Sequence, residues 1–174
     1  LMGFSNPGFS QNLQDAIDYA WSKNVVLVAS TGNDGQNAPT FPAGHRGVMG
    51  VSATDGNDAL AAFSNYGQAV FLAAPGTAIA GTELNGSYVE ITGTSPSAAI
   101  VAGVAALMRA VDPTLSNAVI VGRIARTADP AGTVEQTGNG RINMARALED
   151  TSLDGIQPAG AAPVGEGGPI VGPY

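Results

Sequence analysis

ITGTSPSAAIVAG (91–103) places a serine at the mouth of an alanine-rich run. From Ser95 to about Ala110 the apolar residues Ile100, Val101, Val104, Ala105 and Leu107/Met108 recur at helical spacing. Pro96 suits the first helical position, where its missing N–H costs nothing. Gly93 and Thr94 form a small-residue turn ahead of it, so the hydroxyl and N–H of Ser95 stand at the positive end of the helix dipole, where developing negative charge is stabilised. Position alone leaves two readings open: Ser95 as a helix N-cap, or as the nucleophile of a hydrolase.

Upstream of this helix, Asn85-Gly86 lies between two runs in IAGTELNGSYVEIT that can pair as a β-hairpin across a primed turn. Further upstream, NVVLVAS (24–30), GVMGVSAT (47–54) and AVFLAAPG (69–76) are short runs rich in consecutive apolar residues, as strands buried on both faces of a parallel sheet are. Leu13, Ala16, Ile17, Ala20 and Trp21 make one apolar stripe on a helix from about Gln11 to Ser22, capped by Ser10. Downstream, a helix is expected from about Leu115 to Arg126 with a cap near Ser116, and a last short one around Met144 to Glu149. Helices alternating with buried strands indicate an α/β fold, mostly parallel. Residues 1–150 read as one unit, and TSLDGIQPAGAAPVGEGGPIVGPY (151–174), dense in Gly and Pro, as a tail or linker without a core of its own.

The 174 residues are enough for a real core, and 44% hydrophobic content points to a soluble globular unit. A net charge of −7 without a Lys/Arg run argues against nucleic-acid binding. The absence of cysteine leaves no disulfide framework and no thiolate metal site. No apolar run approaches the roughly 20 residues of a membrane span. The first residues have no signal-peptide pattern, and Leu1 in an apolar stretch suggests a processed or trimmed chain.

A second feature bears on Ser95. In VASTGNDG (28–35) a buried strand ends in Asn33 between glycines, which alone is ordinary turn chemistry. A strand-end Asn followed some sixty residues later by hairpin, Gly-Thr-Ser and an alanine-rich helix is a rarer combination. Over residues 2–148 the chain resembles the subtilisin-like serine proteases, the subtilases. The resemblance is carried by MGFSNPG, VLVASTGNDG, FPA (41–43), FSNYG (63–67), AAPGTAI (73–79), GTSPSAAIVAGVAAL and GNGRIN, all in the family's order.

The resemblance implies the C-terminal half of a three-layer α/β/α, subtilisin-like catalytic domain. It implies Ser95 as nucleophile, with the Asn33 amide joining the Ser95 N–H in an oxyanion hole. Gly3, Phe4 and Ser5 would be an exposed strand edge for an extended peptide, and Ser30, Thr31 and Gly32 a wall of the primary specificity pocket, with Thr94 beside the substrate. Asp34 would lie near the base of that pocket, or be a solvated turn residue. No cofactor is implied in this chain, no metal site is legible, and any calcium would belong elsewhere in the full protein.

An activated serine needs a base and a group that orients it. The one histidine, His45 in FPAGHRG, has no carboxylate partner in sequence and is read as a loop residue. In the family the catalytic Asp and His precede the substrate strand, so here they are expected on an upstream segment. That segment is the expected partner, alongside the peptide substrate. Without it the chain should expose a sheet edge and apolar surface and should self-associate. A second departure is that Pro96 follows Ser95, while Ala99 and Ile100 stand at the family's Pro-His positions. The expected function is therefore a secreted or cell-surface serine endopeptidase of bacterial or archaeal type. The alternative is an inactive, subtilase-derived interaction module. An α/β-hydrolase esterase is disfavoured, because Ser95 has no G-x-S-x-G elbow.

Overall fold

The structure, a computed structural model, describes residues 1–165. Helix α1 (Gln11–Ser22) begins where Ser10 Oγ accepts the Leu13 N–H, as expected from sequence. Strands β1 (Leu27–Ser30), β2 (Val48–Thr54) and β3 (Leu72–Pro75) form a parallel sheet in the order β1-β2-β3. Leu27 pairs with Val48 and Val51 with Leu72. Strand β3 is shorter than the run 69–76 suggests, because the Val70 N–H turns back to the Gly67 carbonyl before the ladder starts.

Alternation along the strands feeds two cores. Val28, Met49, Val51, Leu72 and Ala74 point to one face, where Ala98, Val101, Val104 and Met108 of α2 (Thr94–Val111) meet Ile120, Val121 and Ile124 of α3 (Asn117–Arg126). Ala29 and Val48, with Leu27, point to the other face and meet Ile17 and Leu13 of α1. Helices on both faces of a parallel sheet give the α/β/α architecture. Each fully buried aliphatic side chain in these layers contributes about 1.5–3 kcal/mol by leaving water.

Strands β4 (Ile79–Thr82) and β5 (Tyr88–Ile91) pair antiparallel as the expected hairpin. Its connection is longer than a two-residue turn: Leu84–Gly86 make one 3-10 turn, and Asn85 and Gly86 both take positive φ, 65° and 77°. Helix α3 starts two residues after its expected position, because Asp112 Oδ1 accepts from Thr114 N and Oγ1 and holds a turn first. The short α4 (Val134–Thr137), closed by a Thr133/Gln136 capping box, was not expected. Helix α5 (Met144–Glu149) lies where expected, capped by Asn143. At 18 residues and mean hydropathy 1.4, α2 is long and apolar enough to cross a membrane; here it packs along β1, β2 and β3.

The C-terminal stretch differs from a free tail over the residues described. Residues 151–165 form no helix or strand, yet they lie along the body as a strap. Arg123 Nε donates to the Ser152 carbonyl, Ile156 N to Ala118 O, Gly47 N to Pro158 O, Ala161 N to Gly44 O and Phe9 N to Val164 O. These partners are mostly backbone groups, which hold a Gly/Pro-rich chain in place without an apolar core of its own. The remainder of the expected tail, 166–174, lies outside the described residues.

Candidate active site

Ser95 is the second residue of α2, whose cap is Gly93, so the N-cap reading of Ser95 does not hold. Its Oγ instead donates to the Gly3 carbonyl at 3.0 Å. Pro96 is accordingly the third helical residue; its missing N–H still falls in the first turn, where no intrahelical acceptor exists.

With glycine as the cap, α2 has no side chain of its own to satisfy its first N–H groups. Asn33 does this from 61 positions away: its Oδ1 accepts from the Thr94 N–H and from Thr94 Oγ1, both at 2.9 Å. Thr94 Oγ1 in turn accepts the Gly32 N–H at 3.1 Å. Because the Thr94 amide can only donate, the Asn33 oxygen must face it, and this fixes which way the carboxamide points. Nδ2 is left free of a protein acceptor among the described residues, beside the Gly93 backbone. The Ser95 hydroxyl and N–H thus stand in the first turn of α2, at its positive terminus, with the Asn33 amide beside the Gly93 cap.

Two segments flank this point. Met2 pairs in parallel with Ala29, through Met2 N to Val28 O and Met2 O from Ser30 N. Gly3, Phe4 and Ser5 then run past the end of β1 as an exposed strip without ladder partners among the described residues, rather than as a continuous strand. Gly3 lies against Ser95, and Ser5 lies against Gly32. Gly32 has φ +97°, and an added Cβ would come within 2.6 Å of Asn65 Nδ2 and 2.8 Å of Ser5 Oγ, so only glycine fits. Ser30 and Thr31, expected to wall a pocket, are buried and turned inward; Thr31 Oγ1 donates to Val51 O. They shape the site through the backbone.

Asn65 is the residue that sequence reading passed over. Buried, it accepts from the N–H groups of Asp34 and Gln36 through Oδ1 and donates to Thr31 O at 3.0 Å through Nδ2. It thereby clamps the loop that presents Asn33. Its Nδ2 also reaches Asp34 Oδ2 at 3.2 Å, so the Asp34 carboxylate is partly engaged by this loop. The signal was in FSNYG, where a polar Asn sits within a buried segment.

His45 does not join the site. It is fully buried, with Nδ1 3.0 Å from Gln14 Oε1 on α1 and its ring between Phe9 and Phe41. Burial holds its pKa below the ordinary 6.5, against the pull of Asp18. No other histidine exists in the chain, so no imidazole here reaches Ser95. Ala99 is exposed, and Ile100 packs against the main core, so α2 continues unbroken through both positions. Among the described residues, no three His, Asp or Glu side chains are grouped to hold a metal.

A family model described as the Subtilase family matches residues 3–154. This chain belongs to the subtilase family. Among other subtilases it is 40% identical over 141 residues to thermitase of Thermoactinomyces vulgaris, covering 80% of this chain and 50% of thermitase. It is 34% identical over 142 residues to subtilisin BL of Lederbergia lenta, covering 82% of this chain and 53% of that protein. Among solved structures, a protease of Pseudoalteromonas arctica superposes with TM-score 0.80 at 31% identity, over 85% of this chain and 49% of that one. The prenylagaramide maturation protease superposes with TM-score 0.77 at 29% identity, over 84% and 58%. This subtilase chain therefore spans about half the length of the curated relatives it matches.

Proposed function

We propose that this chain is the nucleophile-bearing half of a serine endopeptidase, working through an acyl-enzyme on Ser95. The observation that carries the reading is the pair of hydrogen bonds from Thr94 to Asn33 Oδ1, which tie a side chain with a free amide donor to the residue preceding the serine. A histidine and an aspartate come from an upstream segment of the same protein. As Ser95 Oγ bonds the scissile carbonyl carbon, its proton passes to that histidine and the carbonyl π pair moves onto oxygen, facing Asn33 Nδ2 and the Ser95 N–H. Collapse expels the amine, which takes the proton from the histidine. Water then repeats the sequence and frees the serine. The exposed strip Gly3–Ser5 holds the peptide by its backbone, with Gly32 and the backbone of Ser30–Thr31 opposite. Export from the cell is part of this reading, in line with the bacterial relatives.

Fluorophosphonate labelling of the complete protein tests the chemistry, because the probe reacts only with a serine that a base activates. Covalent mass addition on Ser95, lost in Ser95→Ala together with peptide hydrolysis, is the expected result. Hydrolysis that survives Ser95→Ala overturns the assignment. An unlabelled Ser95 in a complex holding the upstream half favours instead the inactive interaction module; Ala99 and Ile100 at the altered positions are the feature that speaks for it.

A further inference from the structure

The subtilase match ends at residue 154, whereas the strap continues to residue 165 on the α1 side of the sheet. Its middle crosses the His45 turn. Gly47 N donates to Pro158 O at 2.9 Å and Ala161 N to Gly44 O at 2.8 Å, bracketing His45. Between these bonds Gly160 (φ +79°) lies so close that an added Cβ would stand 2.7 Å from Arg46 N and 2.9 Å from the His45 carbonyl carbon. The far end of the strap receives the Phe9 N–H on Val164 O at 3.0 Å.

Under the strap, the His45 ring stacks at 4.9 Å from Phe9 and 5.0 Å from Phe41. Phe41 exchanges two backbone hydrogen bonds with Asn6, each 2.7 Å, so the aromatic nest is tied directly to the end of the exposed 3–5 strip. The tautomer follows from Gln14. Its Oε1 already accepts the Arg46 N–H and its Nε2 donates to Arg46 O, so the oxygen faces His45 and Nδ1 must donate. Nε2 is then a bare acceptor, buried and without a partner among the described residues.

We infer that residues 155–165 and His45 form a proton-sensitive latch that holds segment 5–9 in place. Protonation puts an N–H with no acceptor, and a positive charge, into a nest of two phenyl rings and backbone. The nest must open to water to relieve it, and the strap and segment 5–9 are its movable walls. The charged and titratable groups around the ring are few. Asp18 on α1 pulls toward protonation, Arg46 is paired with Asp18, and the strap itself carries no ionisable side chain from 155 to 165. The latch does not rest on the function proposed above.

Hydrogen exchange by mass spectrometry on the complete protein, at pH 7.5 and 5.0 and corrected for intrinsic rates, tests it. In the wild type, peptides covering Phe9, Gly47 and Ala161 should lose protection by about tenfold or more at pH 5.0, while β2 peptides stay protected. His45→Phe should hold protection at both pH values. Gly160→Val, which pushes the strap off the 44–46 backbone while leaving the His45 imidazole unaltered, should release the same peptides already at pH 7.5. Protection that is unchanged between the two pH values in the wild type overturns the latch, as does an equal loss in His45→Phe or a uniform loss across β2. Peptide hydrolysis measured in the same samples separates the two ideas: an inactive protein with pH-dependent exchange refutes the protease reading alone.

Discussion

Replacing Asn33 by Leu preserves bulk but deletes both the oxygen that anchors Thr94 and the free Nδ2. If Nδ2 faces the developing oxyanion, kcat of the complete enzyme falls about 10²–10³-fold with KM little changed, a magnitude taken over from subtilisin itself. Thr94→Val keeps the backbone bond to Asn33 Oδ1 but removes the hydroxyl link to Gly32, so it should cost less than Asn33→Leu in the same assay. His45 makes a prediction about pH. Its pKa is lowered in the folded chain, so the unfolded chain binds the extra proton first. Stability is then complete above the ordinary value of 6.5 and falls as pH drops below it. Denaturant midpoints between pH 7.5 and 5 should slope downward for the wild type and stay flat for His45→Phe. The carboxylates of Asp112 and Asp129 are held low first by hydrogen bonds from Thr114 and Asn143, and that of Asp150, against its own desolvation, by the Ser152 N–H and Arg126; all three act only at more acid pH.

Helix ends respond to single caps; those at Ser10 and Ser116 were readable in the sequence, whereas Asn143 was not named and the cap of α2 is Gly93 instead of Ser95. Ser10, Ser116 and Asn143 each accept a first-turn N–H, and removing Ser116 by alanine should cost about 1 kcal/mol in urea unfolding of the complete protein. Ile120→Ala, which cuts into the layer between α3 and the sheet, should cost about 2–5 kcal/mol. The elements built on periodicity and caps were legible from the residues alone: α1 and α5 to the residue, and the three parallel strands to within a few positions. Helix α4 escaped although its capping box is spelled out in Thr133-Val134-Glu135-Gln136, because four residues carry no period. The strap escaped for a different reason. Its anchors are main-chain groups, and a backbone hydrogen bond leaves no mark on side-chain choice. At the site, Ser95 and Asn33 were readable as a spaced pair, whereas the role of Thr94 in orienting Asn33 and the clamp by Asn65 depend on three-dimensional closeness.

At the scale of the whole molecule, the edge beyond Met2 is open. Beside it Leu1, Val25, Val26 and Val28 line a cavity of about 370 Å³ with Ala102, Ala105, Ala106 and Arg109 of α2. Leu1 is 64% exposed and Val25 43%, so apolar surface stands uncovered at this edge. Sedimentation of the isolated chain should show concentration-dependent association, and co-expression with the upstream half should abolish it; a monodisperse monomer across the range would contradict this. The Asn33–Thr94 tie has one more consequence, in time. Its two partners are separated by 61 positions, so at about 5–20 residues per second the ribosome delivers the second roughly 3–12 s after the first. Until then nothing orients the Asn33 carboxamide, and the proposed chemistry lacks its side-chain amide donor.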